Sequence, residues 1–128
     1  MNKLKVLVTG MCGRIGTVIG EKLNQDFEFT SLDLTAKQGF NSFTGDISNL
    51  EKNQSAFDSQ DAVIHLGADP RGEASWESVL QNNIVGTRNV FEAARIAGIK
   101  KVIFASTNHV VGYLYQENDL YKSILEGS

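Results

Sequence analysis

Short β-branched runs alternate along this chain with stretches of helical periodicity. Lys5-Val6-Leu7-Val8-Thr9 is continuously apolar in its middle, the pattern of a strand buried on both faces. Residues 14–24 follow, with Ile15, Val18, Ile19 and Leu23 spaced to share one helical face. Residues 28–34 read as a second strand and residues 42–47 as a weaker third. Ser48-Asn49-Leu50-Glu51 has the form of a capping box: the Ser48 oxygen serves an orphan amide and Glu51 answers it, so a short helix is predicted from Asn49. Residues 61–66 give a fourth strand and residues 101–105 a fifth. Between them, residues 76–97 are predicted to be largely helical, interrupted near Asn82, with Gly98 placed to close the helix in a left-handed conformation.

Strands alternating with helices imply parallel pairing through right-handed crossovers. The expected fold is α/β, a Rossmann-like doubly wound parallel sheet of about five strands in the order 3-2-1-4-5. Residues 1–112 make up this domain. Residues 113–128 read as a tail, polar up to Asp119, then a short helix with Leu120, Tyr121, Ile124 and Leu125 on one face and Gly127 at its end. No sixth strand follows, so the sheet is expected to be incomplete beside strand five. An open edge of that kind invites pairing with a second chain in a homodimer.

Composition narrows the function classes. Of 128 residues, 12 are Lys or Arg and 15 Asp or Glu, a formal charge of -3. That balance gives no electrostatic reason to expect nucleic acid or an anionic membrane as partner. No apolar run approaches the roughly 20 residues that span a bilayer, and the N-terminus leads into a strand instead of a signal peptide. A cytoplasmic location is the expectation. A single cysteine, Cys12, cannot form an internal disulfide or a cysteine-based zinc site, and His65 with His109 is a poor basis for any metal.

Candidate chemistry begins at Thr9-Gly10-Met11-Cys12-Gly13-Arg14-Ile15-Gly16, between the first strand and the first helix. Gly10 lets the chain turn off the strand, Gly13 clears a path for a pyrophosphate, and Gly16 lets the helix press on the sheet. The helix start offers amides and a positive dipole end to phosphates. The spacing, G-x-x-G-x-x-G, is one residue longer than the dinucleotide fingerprint, and its place after a buried strand is the supporting context. Candidate cofactor contacts here are Gly10, Cys12, Gly13, Arg14, Ile15 and Gly16, although the Cys12 thiol reads as small-residue packing and Arg14 as a solvated helix start. Asp33, 17 residues after Gly16, ends the second strand. A carboxylate there can accept from the adenosine ribose hydroxyls and would repel a 2′-phosphate, favouring NAD over NADP. Asp46 and Ile47, at the end of strand three, can meet the adenine; a simple pre-helix turn reads equally well.

The ordered set Thr9-Gly10-x-x-Gly13-x-Ile15-Gly16, Asp33, Gly45-Asp46-Ile47, His65-Leu66-Gly67-Ala68, Asn83-x-x-Gly86-Thr87 and residues 104–112 resembles the N-terminal half of an extended short-chain dehydrogenase/reductase. That is the NAD-dependent epimerase/dehydratase family. Ser106-Thr107-Asn108-His109 with His65-Leu66-Gly67 is most similar to the uronate dehydrogenases. The resemblance implies NAD as cofactor and a sugar or sugar-acid substrate. It places Leu66, Gly67 and Ala68 beneath the cofactor and makes Asn83 a cofactor-side and catalytic-site residue that holds a water or helix backbone. Thr107 becomes the catalytic hydroxyl that also bonds substrate, and Asn108 and His109 become substrate contacts. Read without the resemblance, Asn83 caps or bends a helix, Thr107 belongs to a polar turn, and His109 is a half-buried surface histidine. His65 reads as a hydrogen-bonded core residue, Trp76 as helix packing and Arg71 as a solvated loop arginine.

The family also uses Tyr-x-x-x-Lys on a helix after strand five, where the i, i+4 spacing puts both groups on one face. Tyr113, Tyr115 and Tyr121 are followed four residues on by Glu117, Asp119 and Leu125, so the pair is missing from these 128 residues. The resemblance would place it beyond Ser128. The expectation is therefore the cofactor-binding half of an NAD-dependent sugar oxidoreductase, inactive alone. The alternative is a non-catalytic dinucleotide-binding module or remnant.

Overall fold

A computed structural model of the chain describes residues 2–107. Five parallel strands form one sheet in the order β3-β2-β1-β4-β5. They are β1 (Leu4–Thr9), β2 (Phe27–Asp33), β3 (Asn41–Thr44), β4 (Ala62–His65) and β5 (Val102–Phe104). The register pairs Thr9 with Leu32 on one side and with His65 on the other, and His65 with Phe104. The C-terminal ends of four strands are thereby drawn to one edge. The winding reverses between β1 and β4, which opens the crevice where doubly wound sheets take ligands.

Side-chain alternation along β1 assigns the two faces. Val6 and Val8, with Met11 and Phe29, form the layer beneath α1 (Arg14–Leu23). Leu7, Leu32 and Val63 face the other way, packing with Phe57 and with Val90, Ala93 and Ala94 of α4 (Gly86–Ile96). α1 departs from its apparent stripe. Its buried residues are Gly16 and Gly20, while Ile15, Val18 and Leu23 are exposed and Ile19 alone of the four packs on the core. Glycines draw the helix axis so near the sheet that longer side chains are left at its flanks.

Three boundaries shift. β3 stops at Thr44, so Asp46 and Ile47 lie in the loop beyond it. The short helix α2 (Leu50–Asn53) is capped one residue later than the capping box implies: the Asn49 side chain, not that of Ser48, accepts from the Lys52 amide at 3.2 Å. The Ser48 amide is instead drawn to Asp46 Oδ1 at 2.8 Å, which turns the chain ahead of the cap. The long helix is interrupted around Asn82, as its sequence suggests: α3 (Trp76–Ser78) runs into a π-helical segment (Val79–Val85) and then α4.

Gly98 has φ +75°. The Gly98 amide donates to Arg95 O at 3.1 Å and the Ile99 amide to Ala94 O at 2.9 Å, the paired bonds of a Schellman closure. A Cβ at Gly98 would meet nothing within 4 Å, so only backbone strain opposes one. Gly98→Ala is expected to lower unfolding free energy by about 1 kcal/mol in urea denaturation; an unchanged midpoint would contradict this closure. At the far side of the sheet β5 is not covered as a buried strand would be: Ile103 and Phe104 are exposed. The segment 113–128 lies outside the described residues.

Candidate cofactor cleft

The three loop glycines meet three separate demands. Gly10 turns off β1 with φ +73°, and a Cβ on it would lie 2.8 Å from Gly67 N and 2.9 Å from Leu66 C. Gly16 seats α1 on the turn itself: its Cβ would lie 2.6 Å from Met11 Cα and 2.7 Å from Gly10 O. Gly13 differs from both. Its backbone is ordinary (φ -72°, ψ 177°), and a Cβ there would meet only Gly10 O, at 3.3 Å. Gly13 caps α1 without a side-chain bond, and the first turn carries no acidic residue. The first-turn amides of Arg14, Ile15 and Gly16 lack intrahelical partners by geometry and present a positive dipole end.

These amides open onto a cleft of about 760 Å³ at the C-terminal edge of the sheet, a size ordinary for a cofactor site. Gly10, Gly13, Arg14, Ile15 and Gly16 form one wall, and Asp33 and Leu34 the end beyond β2. Gly45, Asp46 and Ile47 line a second side, and Leu66, Gly67 and Ala68, with Pro70, the side beneath β4. Eleven sequence candidates thus share one concavity. Asp33 is pinned within it: Oδ2 accepts from the Cys12 amide at 2.8 Å and Oδ1 from the Leu34 amide at 2.7 Å. A carboxylate offers about four acceptor positions, so two remain for hydroxyls of a ligand. Anion-seeking amides, a diol acceptor and apolar walls at Leu32, Ile47 and Leu66 together fit a dinucleotide.

Two candidates stand outside this lining. Cys12 gives its amide to Asp33 but turns its sulfur toward Thr35, 3.4 Å from the carbonyl oxygen and 3.6 Å from Oγ1. Asn83 does not line the cleft; Asn82 does. Asn83 brackets the loop after β4, accepting from the Asp69 amide at 2.7 Å and donating to Asp69 O at 3.0 Å. Adjacent helical positions point in different directions, so Asn82 and Asn83 reach different partners. Asp69 is further held by Arg71, whose Nε donates to Oδ1 at 2.9 Å and Nη2 to Oδ2 at 2.6 Å, and by the Ser78 hydroxyl. These donors hold its carboxyl well below the usual carboxylate range, the Arg71 bond first among them. Arg71 is therefore an ion-paired residue, not simply a solvated one. Trp76 is 70% exposed and is no packing residue. Thr107 is exposed beyond β5, while Asn108 and His109 lie outside the described residues.

Some supports were not read from the sequence. Buried Asn89 donates to Ile47 O at 3.1 Å and Ser48 O at 3.0 Å, fixing the loop that carries Asp46 and Ile47. Asn53 donates from below to Asp46 O and, at 2.8 Å, to Asn49 O. Asparagines within helices, where their propensity is poor, were the available signal.

His65 is a core residue, 1% exposed, as its strand position implies. Its Nδ1 lies 2.6 Å from Thr9 Oγ1 and its Nε2 3.0 Å from Thr87 Oγ1. Burial lowers its pKa from 6.5 to about 4. The folded state then binds fewer protons than the unfolded between those values, so stability is complete above pH 6.5 and falls as pH drops toward 4. The loss is expected to reach roughly 3 kcal/mol. Denaturation of the wild type and of His65→Asn across this window checks it: the variant should lack this component, and equal slopes would contradict it.

Fold and cleft together define a doubly wound α/β protein with a phosphate-seeking cleft at its switch point. The chain belongs to the NAD-dependent epimerase/dehydratase family, whose model matches residues 6–123. It is 41% identical over 106 residues to the L-arabinose 1-dehydrogenase (NAD(P)(+)) of Haloferax volcanii, covering 83% of this chain and 42% of that protein. It is 34% identical to the uronate dehydrogenase of Agrobacterium fabrum, covering 91% and 45%. A crystallised mutant of the uronate dehydrogenase from Agrobacterium tumefaciens, complexed with NAD, superposes with a TM-score of 0.75 at 33% identity, covering 84% and 42%. The chain thus spans less than half the length of these relatives. Among the described residues no helix is long and apolar enough to cross a membrane.

Proposed function

We propose that this chain binds NAD in the cleft between β1 and β4 and supplies the cofactor-binding part of a dehydrogenase acting on a sugar or sugar acid. The observation that carries the reading is the Gly13 opening. A cleft-lining backbone with no side chain stands beside the first-turn amides of α1, with the Asp33 carboxylate in the same cleft. The amides and dipole bind the pyrophosphate, Asp33 the adenosine ribose, and Asp46 with Ile47 the adenine. Leu66, Gly67 and Ala68 lie beneath the cofactor. When bound, NAD supplies the hydride acceptor. Similarity to the arabinose and uronate dehydrogenases supports the substrate class, and Thr107, Asn108 and His109, which follow β5 in the sequence, are the candidate substrate contacts.

Calorimetric titration with NAD and with NADP tests this. NAD is expected to bind and NADP to bind less tightly, because Asp33 repels a 2′-phosphate. Flat heats with both would overturn the reading. Asp33→Ala should weaken NAD binding about tenfold, or about 1.4 kcal/mol; unchanged affinity would remove the ribose assignment. With glucuronate, galacturonate or arabinose and NAD, these 128 residues are expected to form no NADH, because they lack a Tyr-x-x-x-Lys pair. Turnover by this chain alone would show that another group performs that role.

A further inference from the structure

A line of hydrogen bonds, buried at Thr9 and His65 and half-buried at its ends, crosses the fold beside the cleft. The Gly67 amide donates to Thr9 Oγ1 at 3.1 Å. Thr9 Oγ1 lies 2.6 Å from His65 Nδ1, and His65 Nε2 lies 3.0 Å from Thr87 Oγ1. The line thus joins β1, β4 and α4 and ends on the amide of Gly67, a cleft-lining residue. The His65 ring also stacks on Phe104 of β5, with centroids 5.5 Å apart and planes inclined 23°.

Hydrogen counting assigns the ring. Thr9 is fully buried, and its hydroxyl has one proton and two lone pairs. One lone pair takes the Gly67 proton. The hydroxyl proton then has His65 Nδ1 as its acceptor, because a buried donor left without one costs about 1–3 kcal/mol. Nδ1 must therefore be bare, and Nε2 carries the proton toward Thr87. The opposite tautomer would point two protons at one another or orphan the Thr9 hydroxyl.

We propose that His65, as the neutral Nε2–H imidazole, is a positioning residue for the cofactor cleft: it orients the Thr9 hydroxyl that fixes the Gly67 amide, and so sets NAD affinity without touching NAD. The affinity part rests on the proposed NAD site; the relay itself does not. An asparagine in place of His65 sets an amide oxygen near the Nδ1 position and keeps an acceptor for Thr9, whereas leucine offers none.

The test combines two readouts on the 128-residue chain. Imidazole ¹⁵N NMR at pH 7.5 reports the tautomer, and amide exchange reports protection at Gly67 relative to core amides such as Leu7 and Val63. NAD affinity is measured by calorimetry on the same samples. The expected results are the Nε2–H form, and in His65→Leu about tenfold faster exchange at Gly67 with about tenfold weaker NAD binding, while Leu7 and Val63 stay protected. His65→Asn should recover both to within about threefold of wild type. Should His65→Leu prove too unstable to study, Thr9→Val, which removes the acceptor for Gly67, is expected to raise exchange at that amide alone. An Nδ1–H ring overturns the proposal, as does Gly67 exchange unmoved in His65→Leu or Thr9→Val. So does NAD affinity unmoved while exchange changes. No NAD binding by wild type, with Gly67 protection still controlled by His65, would overturn the NAD site and the affinity claim but confirm the relay.

Discussion

Gly13→Val should abolish measurable NAD binding, a loss of at least about 100-fold or about 2.8 kcal/mol, and leave a folded protein. The reason is local. Gly13 has a backbone any residue adopts, and its Cβ would approach only one atom, Gly10 O, at 3.3 Å. Gly13 lines the cleft, so the added side chain narrows it beside the first-turn amides. Exchange of Gly for Val at a helix N-cap costs about 1 kcal/mol, so the melting temperature should fall only by a few degrees, roughly. Calorimetry and thermal unfolding on one preparation separate the two effects. Retained affinity would mean that no ligand group passes Gly13, and the pyrophosphate would have to sit elsewhere.

Gly16→Val should fail in the opposite way. Any Cβ there falls 2.6 Å from Met11 Cα and 2.7 Å from Gly10 O. These are backbone atoms of the turn on which α1 rests, and they cannot swing aside as a side-chain end can. The helix must lift, exposing Met11, Val6 and Val8 beneath it. The expected loss is about 3 kcal/mol, enough to lower the melting temperature by roughly 10 °C in a chain of this size. A melting temperature within two degrees or so of wild type would show that α1 does not sit on this turn. Three glycines evenly spaced in sequence therefore divide into two that the fold requires and one that the ligand requires.

Much of this was legible beforehand because parallel sheets leave strong marks. Continuous apolar runs at residues 5–9 and 61–66 mark the two strands that flank the cleft, the glycine turn locates it, and the alternation of strands with helices implies the parallel order that is observed. Residues whose role depends on backbone direction, such as Gly10, Gly16 and Gly98, were readable for the same reason. What escaped was set by helix phase and by partners distant in sequence. The apolar spacing of α1 marks Ile15 and Val18, yet its glycines carry the contact and leave both exposed. Asn82 and Asn83 are neighbours in the π segment, and only Asn82 lines the cleft. Asn89 holds a loop 42 positions away, a pairing no local pattern encodes. Trp76 illustrates the converse: its size suggests packing, and its place at the start of α3 leaves it in solvent.

The central claim is that main-chain amides at the start of α1 hold the cofactor's pyrophosphate. Titrating the ¹⁵N-labelled chain with NAD and following backbone amide shifts tests it most directly. The largest changes should fall on Gly13, Arg14, Ile15 and Gly16, with a second group at Asp33 and Leu34. Saturable shifts confined to other surfaces, or none at millimolar NAD with the spectrum otherwise that of a folded protein, would contradict it.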